Sequence, residues 1–240
     1  MPHLISDRPR LLSLWRDEDD LSSQARWENI QAYLYAIGGL AFVFGSVFFF
    51  PALDPFMNVG AWIFFWGSIL YLVVSGHDLA EVIRYRRQKR RLSEVDRMEW
   101  GAAFAYFAGT ILFMIGSLFF LSWIDQVEVG AWCFIVGSLL FVAGSTINVL
   151  QVPGKSKRGN MQLINLTAVT FVSGSILFTV ASIPYLWSPA TEDEIRVLNT
   201  FLASQYVVGS ALFFLGGITN FRRCLANQRR EAAERGNESN

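Results

Sequence analysis

Three polar residues recur in this sequence at one spacing. Asp78 stands eleven residues after Gly67, Asn148 eleven after Gly137, and Asn220 eleven after Gly209. Eleven residues make about three helical turns, so on a helix each polar group lies within roughly 20° of its glycine. In lipid such a group turns towards a neighbouring helix or a central axis. Thr146 and Thr219 add hydroxyls close by. Two chemistries fit. The three can cap helices or hydrogen-bond between them, or they can form a threefold polar constriction, since inward polar groups at membrane depth often mark ion or solute paths. One carboxylate beside two amides can share hydrogen bonds where three carboxylates could not, so the three read as a self-satisfying set.

Little else in the chain offers reactivity. His3 and His77 have no second histidine nearby, and a metal site needs three or four converging ligands, so no metal is expected. Cys133 and Cys224 lack a CxxC partner and read as inert thiols. No phosphate loop, nucleophile elbow or HExxH helix occurs, and the glycines lie in apolar runs, not at strand-to-helix turns. Neither a catalytic residue nor a cofactor is predicted.

The elements that position these residues follow from composition. Hydrophobic residues make up 52% of the 240, aromatics 15%, and charged residues only 17%, against about 25% charged in soluble domains. A spanning helix needs about 20 mostly apolar residues. Six stretches qualify, at 30–52, 57–77, 101–123, 129–150, 163–187 and 199–221, none with a charge in its central part. The fold class is all-α, a polytopic membrane protein. Nineteen of the twenty Lys and Arg fall in residues 1–27, in the loop 84–97, in the loop 153–160 or in the tail from 222; the exception is Arg196 in the stretch Ser188–Leu198. The positive-inside rule therefore puts both termini in the cytoplasm.

The spans pair into three hairpins, 28–83, 98–152 and 161–222, followed by a tail at 223–240. Val59-Gly60-Ala61-Trp62 recurs as Val129-Gly130-Ala131-Trp132, followed by Gly67-Ser68 and Gly137-Ser138. The first helices repeat a small residue, a Phe four later and a small residue seven later: Gly38/Phe42/Gly45, Gly109/Phe113/Gly116 and Gly174/Phe178/Ala181. Gly209 and Gly216 continue the stripe in a degraded third copy. Seven-residue spacing of small residues fits close, left-handed helix crossings, with a pore along the axis as the alternative reading. Trp62, Trp123, Trp132 and Trp187 near one interface, and Trp27 and Trp100 near the other, read as an aromatic belt. Arg84, Arg86, Arg87, Lys89, Arg90 and Arg91 lie just inside span two. Their place beside the membrane favours anionic lipid over nucleic acid, and the acids Glu94, Asp96 and Glu99 that follow allow the loop to pair with itself.

G-x6-GS on the first helix and GAW-x4-GS on the second resemble the YrhK-like domain family, over nearly all of 28–222. The resemblance implies a bacterial integral membrane protein and carries no activity with it. Two-span units enter the membrane in one orientation, so the predicted architecture is three hairpins around a pseudo-threefold axis along the membrane normal. The expected function is a non-enzymatic packing or interaction module, with itself or another membrane protein as partner. A channel or small-solute transporter is the rival. The central thirds of the spans offer only Ser, Thr, Gln205 and Tyr, which argues against ion-coupled transport.

Overall fold

A computed structural model describes residues 21–89, 91, 93–150, 158–187 and 191–238. The segment 1–20, Arg90 and most of the loop 153–160 lie outside the described residues. The fold is all-α: α1 (Leu21–Val47), α2 (Met57–Gln88), α3 (Glu94–Phe119), α4 (Val127–Leu150), α5 (Arg158–Ser182) and α6 (Glu192–Glu238), with short 3-10 turns at Pro51–Phe56 and Ile183–Leu186. All six contain a stretch long and apolar enough to cross a bilayer, so the chain is a multi-pass membrane protein.

Several helices outrun the apolar runs that announce them. α2 carries the basic segment as helix as far as Gln88. α6 begins at Glu192 and runs to Glu238, so most of the stretch 188–198 and of the tail is helix where a loop and a tail were expected. The cause is local. Glu192, Asp193 and Glu194 favour a helix N-terminus, and Gln, Arg, Glu and Ala dominate residues 226–235. α3 starts where Ser93 and Asp96 form a reciprocal capping box, Asp96 N–H to Ser93 Oγ at 3.2 Å and Ser93 N–H to Asp96 Oδ2 at 2.8 Å. Ser93→Ala is expected to cost about 1 kcal/mol, read as a small drop in melting temperature in detergent.

The helices pack in cyclic order, each against the two next to it in sequence, and α6 returns to α1 to close the ring. The chain runs directly from each helix to the next, so this last pair alone is not consecutive in sequence. The α1/α6 seam is instead held by a Ser46–Ser210 hydroxyl contact at 3.0 Å and a reciprocal Asn29–Gln228 amide pair at 3.3 and 3.1 Å. Here the two backbones nearly touch. A Cβ on Gly39 would lie 2.8 Å from the Phe214 backbone, and one on Gly217 would lie 2.8 Å from Ala36 Cα. At the far end of the α2/α3 seam, Asn58 Nδ2 donates to Ser122 Oγ at 2.9 Å and Ser122 N–H donates back to Asn58 Oδ1 at 2.8 Å.

Within the hairpins the small residues make room for rings. Gly38 admits Tyr71, Gly67 admits Phe42, Gly45 admits Phe64, and Gly60 faces the Gly45 carbonyl. The second hairpin does the same with Gly109/Phe141, Gly137/Phe113, Gly116/Phe134 and Gly130/Phe120, and the third with Gly174/Phe213 and Gly209/Phe178. Ala181, where the third copy departs from glycine, is fully buried. Gly216 differs from the rest: its nearest neighbour is the Thr170 hydroxyl, and the close approach of α6 falls one residue later, on Gly217. The rings so admitted fill the middle of the bundle. Phe64, Phe134 and Tyr206, one from each hairpin, close a triangle with centroids 5.9, 6.1 and 6.4 Å apart.

Candidate functional site at the inner end of the bundle

The inner end is the one from which α1 starts and at which α6 finishes. There the otherwise apolar interior turns polar. On α1, Trp27 and Gln31 lie one helical turn apart and both face α2. Trp27 Nε1 donates to His77 Nδ1 at 3.1 Å, with ring centroids 4.4 Å apart, and Gln31 Nε2 donates to Asp78 Oδ1 at 2.9 Å. All four are buried, as is Glu81 one turn beyond His77. The belt position expected for Trp27 is therefore corrected. It lies inside the bundle at 4% exposure, because its indole N–H has an acceptor there.

His77, Asp78 and Glu81 each bring one potential ligand atom to within 4.8 Å of the others. The neighbours of His77 are carboxylates of its own helix, Asp78 and Glu81. The bond from Trp27 sets the chemistry. A neutral imidazole accepting at Nδ1 carries its proton on Nε2. Holding a divalent cation through Nε2 would require the other tautomer, with the Trp27 indole turned away.

Asp78, Asn148 and Asn220 are all buried, at 3%, 8% and 1% exposure. Asp78 takes its bond from Gln31 on α1, whereas Asn148 Nδ2 donates to the Tyr106 hydroxyl on α3 at 3.3 Å. That hydroxyl also contacts Ser145 Oγ at 3.0 Å. Among the described residues Asn220 has no hydrogen-bond partner on either amide atom. The three thus do not form a self-satisfying set. The tie at this level of the third hairpin passes beside Asn220, between the Thr167 and Thr219 hydroxyls at 2.8 Å. Thr146 bonds the Val142 carbonyl of its own helix. The rings of Tyr35, Tyr106 and Phe171 meet here at 5.8 and 5.9 Å and occupy the interior that a shared cluster would need.

Sequence reading missed Gln31, Glu81 and Tyr106. A signal for Gln31 was present: it stands seven residues before Gly38, and Thr167 stands seven before Gly174, one further step of the small-residue stripe. The basic segment is sorted by the fold as well. Lys89 Nζ bonds both Asp96 oxygens, at 2.9 and 3.1 Å, and lies 4.7 Å from the Tyr85 ring centroid. The Tyr85 hydroxyl and the Asp96 carboxylate hold the ammonium charged above the ordinary lysine range. Arg87 and Arg91 are exposed. Arg84 is exposed too, and Arg86 stacks on Trp100.

Residues 25–83 and 96–152 match the family described as YrhK-like protein, one match on each of the first two hairpins. No curated protein and no solved structure matches the chain.

Proposed function

We propose that the chain is a non-enzymatic module of the bacterial inner membrane, with both termini cytoplasmic. It forms a solid helical bundle whose lipid-facing surface and cytoplasmic loops serve as contacts for copies of itself or another membrane protein. The observation that carries this reading is the run of rings along the interior. It passes from Tyr35 and Tyr71, with Tyr106 joined through Phe171, to Phe42, Phe113 and Phe178, and from Phe113 through Phe134 to Phe120, Phe49 and Tyr185. Large apolar rings in van der Waals contact are what a bundle needs for cohesion in lipid, where no hydrophobic force drives helices together. The basic residues at the inner end support the cytoplasmic assignment of the termini.

The rival is a solute path between the hairpins, favoured by the buried polar groups at the inner end. Asp78 separates the two. Asp78→Asn keeps an acceptor for Gln31 and is expected to leave stability nearly unchanged. Asp78→Leu removes that acceptor from the buried Gln31 amide, at a cost of about 1–2 kcal/mol. Vesicles containing the wild type or either variant are expected to leak ions and small solutes no faster than empty ones. Cation flux through the wild type that changes in Asp78→Asn, at unchanged melting temperature, would overturn the packing reading in favour of the path.

A further inference from the structure

Between the inner ends of α2 and α3 lies an open cavity of about 340 Å³ lined by Ile83, Arg86, Arg87 and Trp100. The Arg86 guanidinium sits 5.2 Å from the centroid of the Trp100 ring, which itself stacks on Phe104 at 5.3 Å. A cation–π contact uses the face of the ring and leaves guanidinium N–H groups for another partner. Among the described residues neither Arg86 nor Arg87 has a carboxylate partner, and Asp96 at the start of α3 is held by Lys89. Two guanidiniums, an aromatic floor and an aliphatic wall therefore share one cavity.

Its depth identifies what reaches it. Met57 to Arg86 is 29 residues of continuous helix, about 44 Å at 1.5 Å per residue. A bilayer with its headgroups measures about 40–45 Å. Trp100 to Phe119 is 19 residues of α3, about 28 Å, close to the roughly 30 Å of hydrocarbon alone. With the outer ends of both helices at the opposite interface, Trp100 falls at the hydrocarbon boundary and Arg86 and Arg87 on its headgroup side, where phosphates lie. We infer that this cavity is a binding site for the phosphodiester headgroup of an anionic phospholipid. Arg86 and Arg87 hold the phosphate through charge-assisted N–H···O bonds, and Ile83 and Trp100 take up the glycerol and the first methylenes. The site is discrete, unlike a general attraction of the basic loop to a charged surface.

Native mass spectrometry of the full-length protein in detergent, given equal phosphatidylglycerol and phosphatidylcholine, tests this. The wild type is expected to retain phosphatidylglycerol preferentially. Arg86→Gln and Arg87→Gln should each lower that retention roughly fivefold, and Trp100→Ala should lower it too. Arg222→Gln with Arg229→Gln removes two charges, twice as many as either single variant, from an exposed face of α6 and should change it less than twofold. Arg86→Lys with Arg87→Lys keeps the charge but loses the stacked fork, and should lose several-fold in preference even if the Gln variants fold poorly. Equal losses from the α6 pair, an unchanged Lys pair, or no discrimination between the two lipids would each overturn the site. Displacement of the lipid by millimolar inorganic phosphate would show a free-anion site and overturn the lipid assignment.

Discussion

Phe134→Ala is expected to lower the stability of the bundle by about 2–3 kcal/mol. Phe134 is fully buried and contacts five other rings: Phe113 at 4.9 Å, Phe120 at 5.1 Å, Phe64 at 5.9 Å, Tyr206 at 6.1 Å and Phe178 at 6.4 Å. These come from α2, α3, α5 and α6, so a void there loosens four helices at once. The size follows from the reference state. In lipid an unpacked ring returns to hydrocarbon, so the water-transfer part of a core deletion largely drops out. The cavity part remains, about 24 cal/mol per Å³ over the roughly 100 Å³ that a phenyl ring occupies. Phe134→Leu fills most of that space and should cost under about 1.5 kcal/mol. Trp132→Ala, on the lipid-facing surface two residues away, should cost less still. Unfolding of the three variants by SDS in mixed micelles measures the order, and a Trp132 effect as large as that of Phe134 would contradict it.

The second large effect belongs to the ring-closing seam. Gly39→Ala and Gly217→Ala should each cost about 1–3 kcal/mol, although alanine is the better helix former by up to about 1 kcal/mol. The added methyl would meet backbone atoms 2.8 Å away in both cases, and backbone cannot rotate aside as a side chain can. One displacement of α6 relieves both clashes, so the double variant should cost less than the sum of the singles. Gly76→Ala is the control. Its methyl would lie 3.6 Å from the Phe107 ring, an ordinary contact, and the change should be neutral or stabilising. Thermal denaturation in detergent compares them, and equal behaviour of Gly39→Ala and Gly76→Ala would refute the account of the seam.

What the sequence disclosed and what it concealed divide by range of interaction. Six spans could be read because a bilayer imposes its length on each helix separately, and the glycine stripes could be read because they repeat inside each hairpin. The α1/α6 seam could not. Gly39 has Thr110 and Ser175 at the corresponding places of the other hairpins, so no repeat marks it, and Gly217 stands one residue off the stripe that drew notice to Gly216. The polar site was half visible. Asp78 and Asn148 stood out by spacing, but the partner of Asp78 lies 47 residues away on another helix and that of Asn148 lies 42 away. Trp27 carried a misleading cue, since an indole at a span end ordinarily belongs to the interface, and only the position of His77 shows it turned inward.

The 47-residue α6 has a mechanical consequence. Beyond Asn220 it continues as helix for 18 residues, a stalk of about 27 Å at 1.5 Å per residue. A flexible tether of 18 residues would have a root-mean-square reach of about 21–25 Å, nearly the same, but spread over every direction. The stalk instead delivers whatever is carried at its far end to one place, so the local concentration there is high and elsewhere close to zero. Inserting a single residue after Arg222 would swing that place by about 100° around the helix axis while moving it only about 1.5 Å outward.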